Sequence, residues 1–342
     1  MLRVGVTDPT MLYRLRDGVY APDLLIVVTA ELDLFTRLQR REGLDLQGLC
    51  EELDLDPRAA DVTVTYLVAL GLLERATDGL IRVSQTATDH LVAGSRYDLR
   101  AYFGSLRERP ACVELLNVMR TGERAAWASS TAAQDWEARL DDLEFARRIT
   151  AAMDARGAFL GPALADALSD VSATRVLDVG GGSGIYACAL VDRDPQLRAT
   201  VLERPPVDQA ARTLLADRGY SDRIDVIAAD MFTDAFPTGY DVHLFSHVLH
   251  DWGEEQIRRL FAASFAALPP RGWIVDHDTH INAKKTGPLP VAEYSVLLMH
   301  STAGKCWSVG ELTDFLEQTG FTDVACRPTA ADRTAVLARR PG

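Results

Sequence analysis

The sequence predicts an α/β protein, with a doubly wound parallel sheet in its C-terminal half and a mainly helical, winged-helix-like domain in front of it. Two observations carry this. From about residue 174 short apolar runs, "RVLDVGG", "RATVLER", "IDVIAAD", "DVHLFSH" and "GWIVDHDT", alternate with helical stretches, the pattern of parallel strands joined by helices on both faces. Before residue 100 the chain reads instead as short helices and one hairpin. Domains are therefore expected at 1–100, 101–170 and 171–342.

In the first domain, "LQGLCEELDLDPRAADVTVTYLVALGLLERATDGLIRVS" supplies a helix, a turn at "DLDP", a second helix from Pro57 to Leu73 and a wing around Asp78 and Gly79. Such an arrangement often binds DNA. Here the second helix carries Arg58 and almost nothing else able to reach a phosphate or a base edge, while Val64, Leu67, Leu70 and Leu73 give it an apolar face suited to protein contact. Homodimerisation is expected of this domain, in preference to a transcription regulator. Residues 101–170 read as a helical linker with Trp127 and Trp136. In it Phe145, Ile149, Met153 and Phe159 recur at roughly helical spacing, most of them for the core and a few for an acceptor pocket.

The 342 residues carry a net charge of −13, which disfavours nucleic acid or an anionic membrane as partner and leaves a small molecule. No apolar run approaches the ~20 residues of a membrane span, and no leader pattern opens the chain, so a cytoplasmic location is expected. The five cysteines are scattered without a CxxC pair, as for reduced, mostly structural thiols.

"VLDVGGGSG", residues 176–184, ends a strand and opens a helix, with Asp178 ahead of Gly180, Gly182 and Gly184. Glycines let the backbone turn sharply and approach a ligand closely. Alone, such a loop also suits a dinucleotide. The next strand ends in Glu203, about 20 residues on, where a carboxylate can accept both ribose hydroxyls. Asp230 and Met231 follow the third strand, where a carboxylate and a thioether can meet an adenine.

Together these residues resemble the class I S-adenosylmethionine-dependent methyltransferases, whose loop reads D/E-x-G-x-G-x-G. Within them the chain is similar, over nearly its whole length, to small-molecule methyltransferases with an N-terminal dimerisation domain. That subgroup's "DMF" stands at Asp230, Met231 and Phe232, and its "HDW" at His250, Asp251 and Trp252. The resemblance implies a Rossmann-like catalytic domain and a homodimer. It also implies S-adenosylmethionine held by Asp178, Gly180, Gly182, Gly184, Glu203, Asp230 and Met231. A dinucleotide oxidoreductase is the alternative.

Six of the seven histidines, His243, His247, His250, His277, His280 and His300, crowd into one stretch. The resemblance makes His250 the general base toward an acceptor hydroxyl, suitable chemistry for an imidazole of pKa about 6.5. Three features depart from that pattern. His247 stands where "NVLHDW" has Asn, His300 where an apolar residue is commoner, and Ala303 to Ser308 replace "GGRERT". With them the chain resembles the C-methyltransferases of 2-oxo acids, which use a bound metal. That resemblance implies His250, Asp251 and His300 as ligands of a divalent metal such as iron or zinc, with His247 beside them as a candidate base. A Lewis acid on the oxo acid eases removal of the proton at carbon three.

Metal-assisted C-methylation of a small 2-oxo acid in specialised metabolism is the leading expectation, with metal-free O-methylation of a phenol by His250 as the alternative. Plainer roles stay open residue by residue. Asp251, with Glu254 three positions on, suits a helix N-cap. His247 suits a hydrogen bond within the pocket, and His300 a satisfied place in the core. His243 is expected to be structural, and His277, Asp278 and His280 to lie in a solvated loop near the acceptor rim, with a place in the pocket as the alternative for His277 and Asp278.

Overall fold

The computed structural model describes residues 7–126 and 139–342; Trp127 and Trp136 lie outside them. The described chain divides into two units, one of residues up to 11, 139–280 and 309–342, the other of 12–126 and 281–308. The segment 281–308, expected with the C-terminal domain, thus belongs with the N-terminal part. Its helix Leu289–Ser301 has apolar residues on every side and buries almost all of them. A helix of that kind needs neighbours all round, and it packs against the helix Pro57–Ala69.

The unit of 12–126 and 281–308 contains the wing. Asp45 caps the helix Leu46–Leu53 by accepting Gly48 N at 2.7 Å, and Asp56 caps Pro57–Ala69 by accepting Ala59 N at 3.0 Å. Strands β1 (Leu73–Arg75) and β2 (Ile81–Val83) pair antiparallel with Leu73 opposite Val83. The second helix stops at Ala69, short of the expected Leu73, because Gly71, at φ 77°, closes its last turn. Val64 and Leu67 are fully buried within this unit's own core, so they do not supply the intermolecular face expected of them. Arg58 also points inward, donating to the carbonyl oxygens of Met299, Thr302, Gly304 and Gly122. It ties the helix to segment 281–308 and is spent on that task. Large apolar side chains stay exposed elsewhere on this unit, among them Leu12, Leu15, Val19, Tyr102 and Val113.

The other unit holds, among the described residues, a seven-stranded sheet. Its strands are β3 (Arg175–Val179), β4 (Arg198–Glu203), β5 (Ile224–Ala228), β6 (Val242–Ser246), β7 (Trp273–Asp278), β8 (Thr322–Pro328) and β9 (Thr334–Arg339). Their order is β5-β4-β3-β6-β7-β9-β8, parallel except for β9, which runs antiparallel to both its neighbours. The strand order reverses between β3 and β6. The loops after those two strands therefore flank the crevice where sheets of this kind bind ligands.

Over this sheet the helix Leu143–Ala167, capped by Asp142 on Phe145 N at 2.7 Å, packs on the helix Ile185–Arg193. The contact is close because glycines face it: a Cβ on Gly157 would lie 2.2 Å from Ile185 Cγ2, and one on Gly161 2.9 Å from Ala189 Cβ. Phe145 is buried with Ile149 packed beside it, whereas Met153 and Phe159 are half-buried. Among the described residues no helix is long and apolar enough to cross a membrane.

Candidate active site

The loop after β3 turns on three glycines with left-handed backbone, Gly180 at φ 65°, Gly182 at 55° and Gly184 at 73°, where an L side chain would be strained. A Cβ on Gly180 would press to 3.1 Å from Val248 Cγ2 and sit 3.8 Å from Met231 Sδ, whereas Gly182 has open space on that side. Glu203, ending β4, accepts Gly182 N at 3.0 Å and Arg204 N at 2.9 Å. Burial pushes its carboxyl upward. Asp178 is fully buried, and neither of its carboxylate oxygens has a hydrogen-bond partner. Burial first, then the nearby Glu203, push it up to about 7.

Asp230 accepts Phe232 N at 2.8 Å, and the Phe232 ring meets Trp252 edge-on at 4.6 Å. This contact joins the "DMF" and "HDW" segments. The expected cofactor residues are thus brought to one crevice. A buried, unpartnered carboxylate beside an open glycine backbone suits a ligand carrying ammonium, sulfonium and ribose hydroxyl groups, as S-adenosylmethionine does.

The second part of the site lies after β6. His247 has a left-handed backbone, φ 57°, and its N–H donates to His277 O at 2.9 Å, stitching the end of β6 to β7. The parallel register, Ser246 beside His277, then carries Asp278 to the histidines. Asp278 is buried; Thr279 N donates to its Oδ1 at 2.7 Å. His250 Nδ1 hydrogen-bonds Asp278 Oδ1 at 2.8 Å, and Oδ2 lies alongside at 2.7 Å without hydrogen-bond alignment. His247 Nδ1 is 3.1 Å from the same Oδ1. That is ion-pair distance without hydrogen-bond alignment, since both His247 ring nitrogens are buried without a hydrogen-bond partner.

Burial works against protonation of His250, but Asp278 and Asp251 outweigh it and the net shift is upward. Burial, then the charge of Arg156, hold His247 well below the usual imidazole value. Burial would raise Asp278, yet the two imidazoles hold it well below the carboxylate range.

Against known proteins, residues 113–322 match the O-methyltransferase domain family. This chain belongs to that family. It is 30% identical to the tetracenomycin polyketide synthesis 8-O-methyltransferase of Streptomyces glaucescens, over 92% of each chain. It is 28% identical to the L-tyrosine C(3)-methyltransferase of Streptomyces lavendulae, over 85% of this chain and 81% of that one. A solved O-methyltransferase family 2 protein from Planctomyces limnophilus, in complex with apigenin, superposes with a TM-score of 0.87 at 31% identity, over 99% of this chain and 98% of the other. The enzyme is an S-adenosylmethionine-dependent methyltransferase of small molecules.

In this methyltransferase Asp278 and its neighbours are not a solvated loop. His277, Asp278 and His280 are all buried, because β7 runs on to Asp278 and β9 covers it. His277 Nε2 pairs with Thr329 Oγ1 at 3.1 Å, and His280 bridges Asp276 at 2.9 Å and Thr334 at 2.5 Å. Asp278 is the site residue to which sequence reasoning, with the pocket only as its second reading, assigned no role. The signal that finds it is the register of β6 on β7, which a single strand does not display.

Asp251 does not cap a helix. It ends the short turn Leu249–Asp251, and Gly253 takes the N-cap of the helix Glu254–Ala267. Its Oδ1 lies 3.6 Å from His250 Nε2. His300 belongs to the other unit and is fully buried there, with Glu114 Oε2 at 2.9 Å from Nε2, Ser301 Oγ at 2.8 Å from Nδ1, and the Tyr20 ring stacked at 4.0 Å. That is the satisfied core place left open for it. Among the described residues, the group whose donor atoms converge as a metal site would need is His247, His250 and Asp278, within 4.8 Å of one another. It shares only His250 with the expected set of His250, Asp251 and His300. His243 is buried in β6 with neither ring nitrogen hydrogen-bonded.

Proposed function

We propose that this methyltransferase acts on a hydroxyl group of a small acceptor, with His250 as general base and Asp278 as the carboxylate that holds it. The observation that carries this is the hydrogen bond between His250 Nδ1 and Asp278 Oδ1, with the second carboxylate oxygen alongside at 2.7 Å. With an ionised carboxylate there, the proton of neutral His250 sits on Nδ1 and Nε2 carries the lone pair. The raised pKa makes that lone pair more basic than an ordinary imidazole. S-adenosylmethionine supplies a methyl group on a sulfonium, which departs as a neutral thioether. Nε2 takes the hydroxyl proton as the acceptor oxygen bonds to the methyl carbon, and Asp278 stabilises the imidazolium that forms.

Asp178, the glycine loop and Glu203 hold the donor in this scheme, with Asp230 and Met231 beyond β5. The relative that methylates a polyketide hydroxyl supports both the acceptor class and a place in antibiotic assembly. Mass spectrometry of reactions with apigenin and with phenylpyruvate, for wild type and His250→Ala, tests the assignment. The expected result is a methyl ether on the hydroxyl acceptor, lost in the variant while S-adenosylmethionine binding by calorimetry is retained. A variant with wild-type turnover would rule His250 out as base.

A second reading, metal-assisted C-methylation of a 2-oxo acid, draws on one observation. His250 Nε2 and a carboxylate oxygen of Asp251 lie 3.6 Å apart, two donor atoms of kinds that bind divalent cations. The donor types fit iron or zinc, and Asp278 on Nδ1 is the outer carboxylate that metal-bound histidines commonly have. His250 and Asp251 would hold the ion, which would supply Lewis acidity toward a 2-oxo acid. His300 enters only through the family resemblance. Near-stoichiometric metal in untagged protein, lost in Asp251→Asn, with phenylpyruvate methylated on carbon, would favour this reading.

The exposed Leu12, Leu15, Val19, Tyr102 and Val113 support a homodimer, since taking such large apolar side chains out of water against a second copy is favourable. Sedimentation is expected to give twice the chain mass, and Leu15→Lys with Tyr102→Lys to give the single chain.

A further inference from the structure

The ring of His247 is wedged among other rings, its centroid 5.6 Å from His250, 5.7 Å from His277 and 6.1 Å from Tyr186. Both its nitrogens are closed to solvent, so the role of base toward an acceptor, expected of it from sequence, does not fit. Its backbone is costly as well. A left-handed φ of 57° costs a non-glycine residue about 1 kcal/mol or more, though His, Asn and Asp adopt it more readily than others. The conformation brings Nδ1 to 3.1 Å from Asp278 Oδ1, the oxygen that also faces His250 Nδ1 at 2.8 Å.

We propose that His247 is a positioning residue for the methyl transfer, its ring lodged against Asp278 Oδ1 so that the carboxylate stays turned to His250. This rests on His250 being the base. Thr279 N anchors only one oxygen of Asp278, and a carboxylate held at one atom can swing about its own axis. With the His247 ring packed against that oxygen, Oδ1 stays on His250 Nδ1, and the lone pair at Nε2 keeps its direction. Acceptor and donor need not touch His247 for this to act on the rate.

Three variants of the full-length enzyme separate position from packing. His247→Gly removes the ring but accepts the backbone, His247→Asn keeps side-chain bulk at the position of Nδ1 on a residue tolerant of that backbone, and His250→Gln assigns the signal. The first readout needs no acceptor: the far-downfield proton resonance of an imidazole N–H held by a carboxylate. It is expected in wild type and His247→Asn, absent in His250→Gln, and lost or broadened in His247→Gly at temperatures well below that variant's own unfolding transition.

The second readout is turnover of apigenin or phenylpyruvate, whichever the wild type methylates. His247→Gly should lower kcat about tenfold or more with KM unchanged, and His247→Asn should recover most of that loss. An intact signal in His247→Gly, no such signal in wild type, equal kcat losses in the Gly and Asn variants, or a loss confined to KM would each overturn the proposal. Full turnover in His250→Ala would instead remove the base assignment beneath it.

Discussion

Asp278 joins more of the site than any other side chain. It takes Thr279 N and His250 Nδ1 and lies at ion-pair distance from His247, so changing its charge at constant shape is informative. In Asp278→Asn the amide can donate to His250 Nδ1. That moves the imidazole proton to Nε2 and leaves no lone pair toward the acceptor. We expect kcat to fall by about 10²–10⁴ with little change in S-adenosylmethionine affinity, read by steady-state kinetics beside calorimetry. His243 offers the opposite case, a buried imidazole with no hydrogen bond and a pKa driven to about 3 by burial. At neutral pH both states of the chain carry it uncharged. As pH falls below about 6.5, the unfolded chain takes up a proton that the folded chain refuses until about 3. Stability is therefore lost as pH falls, by about 1.4 kcal/mol per pH unit from this ring alone. Urea unfolding of His243→Leu should show a gain over wild type that is small at pH 8 and grows by that amount per unit between pH 6 and 4.

At the scale of elements, the long helix Leu143–Ala167 meets the helix that follows the cofactor loop with no room to spare. Gly157→Ala would drive a methyl to 2.2 Å from Ile185 Cγ2, and Ile185 is the first residue after Gly184. Despite the better helix propensity of alanine, we expect a loss of about 1–3 kcal/mol from overpacking. S-adenosylmethionine affinity should weaken with it, because the displaced residue abuts the loop; denaturant titration and calorimetry check the two parts. The loop itself was legible in sequence because its chemistry is local: an acid, three glycines and an acid ending the next strand. His250 was legible for the same reason, through "HDW". Asp278 was not, since its partner lies on the adjacent strand and only the pairing of Ser246 with His277 sets them together. Asp251 misled because an acidic residue three before a glutamate is a good cap pattern, yet Gly253 starts the helix instead.

For the whole molecule, the parallel sheet followed from the alternation of apolar and helical runs, whereas the division of the chain did not. Segment 281–308 lies between β7 and β8 in sequence, yet it belongs to the unit begun at residue 12. What draws it away is the helix Leu289–Ser301, whose burial against Pro57–Ala69 completes the core of the unit begun at residue 12. A fragment of residues 1–126 lacks that helix and should show weak, non-cooperative melting by circular dichroism, which a longer piece ending before 281 should not repair. The same crossing has a consequence during synthesis. The first helices leave the ribosome early, yet the partner that closes over Val64 and Leu67 is still uncoded chain, some tens of seconds behind at roughly 5–20 residues per second. The part of the protein born first is the part that must wait, its greasy inner surface open in the meantime, for nearly the last piece to arrive.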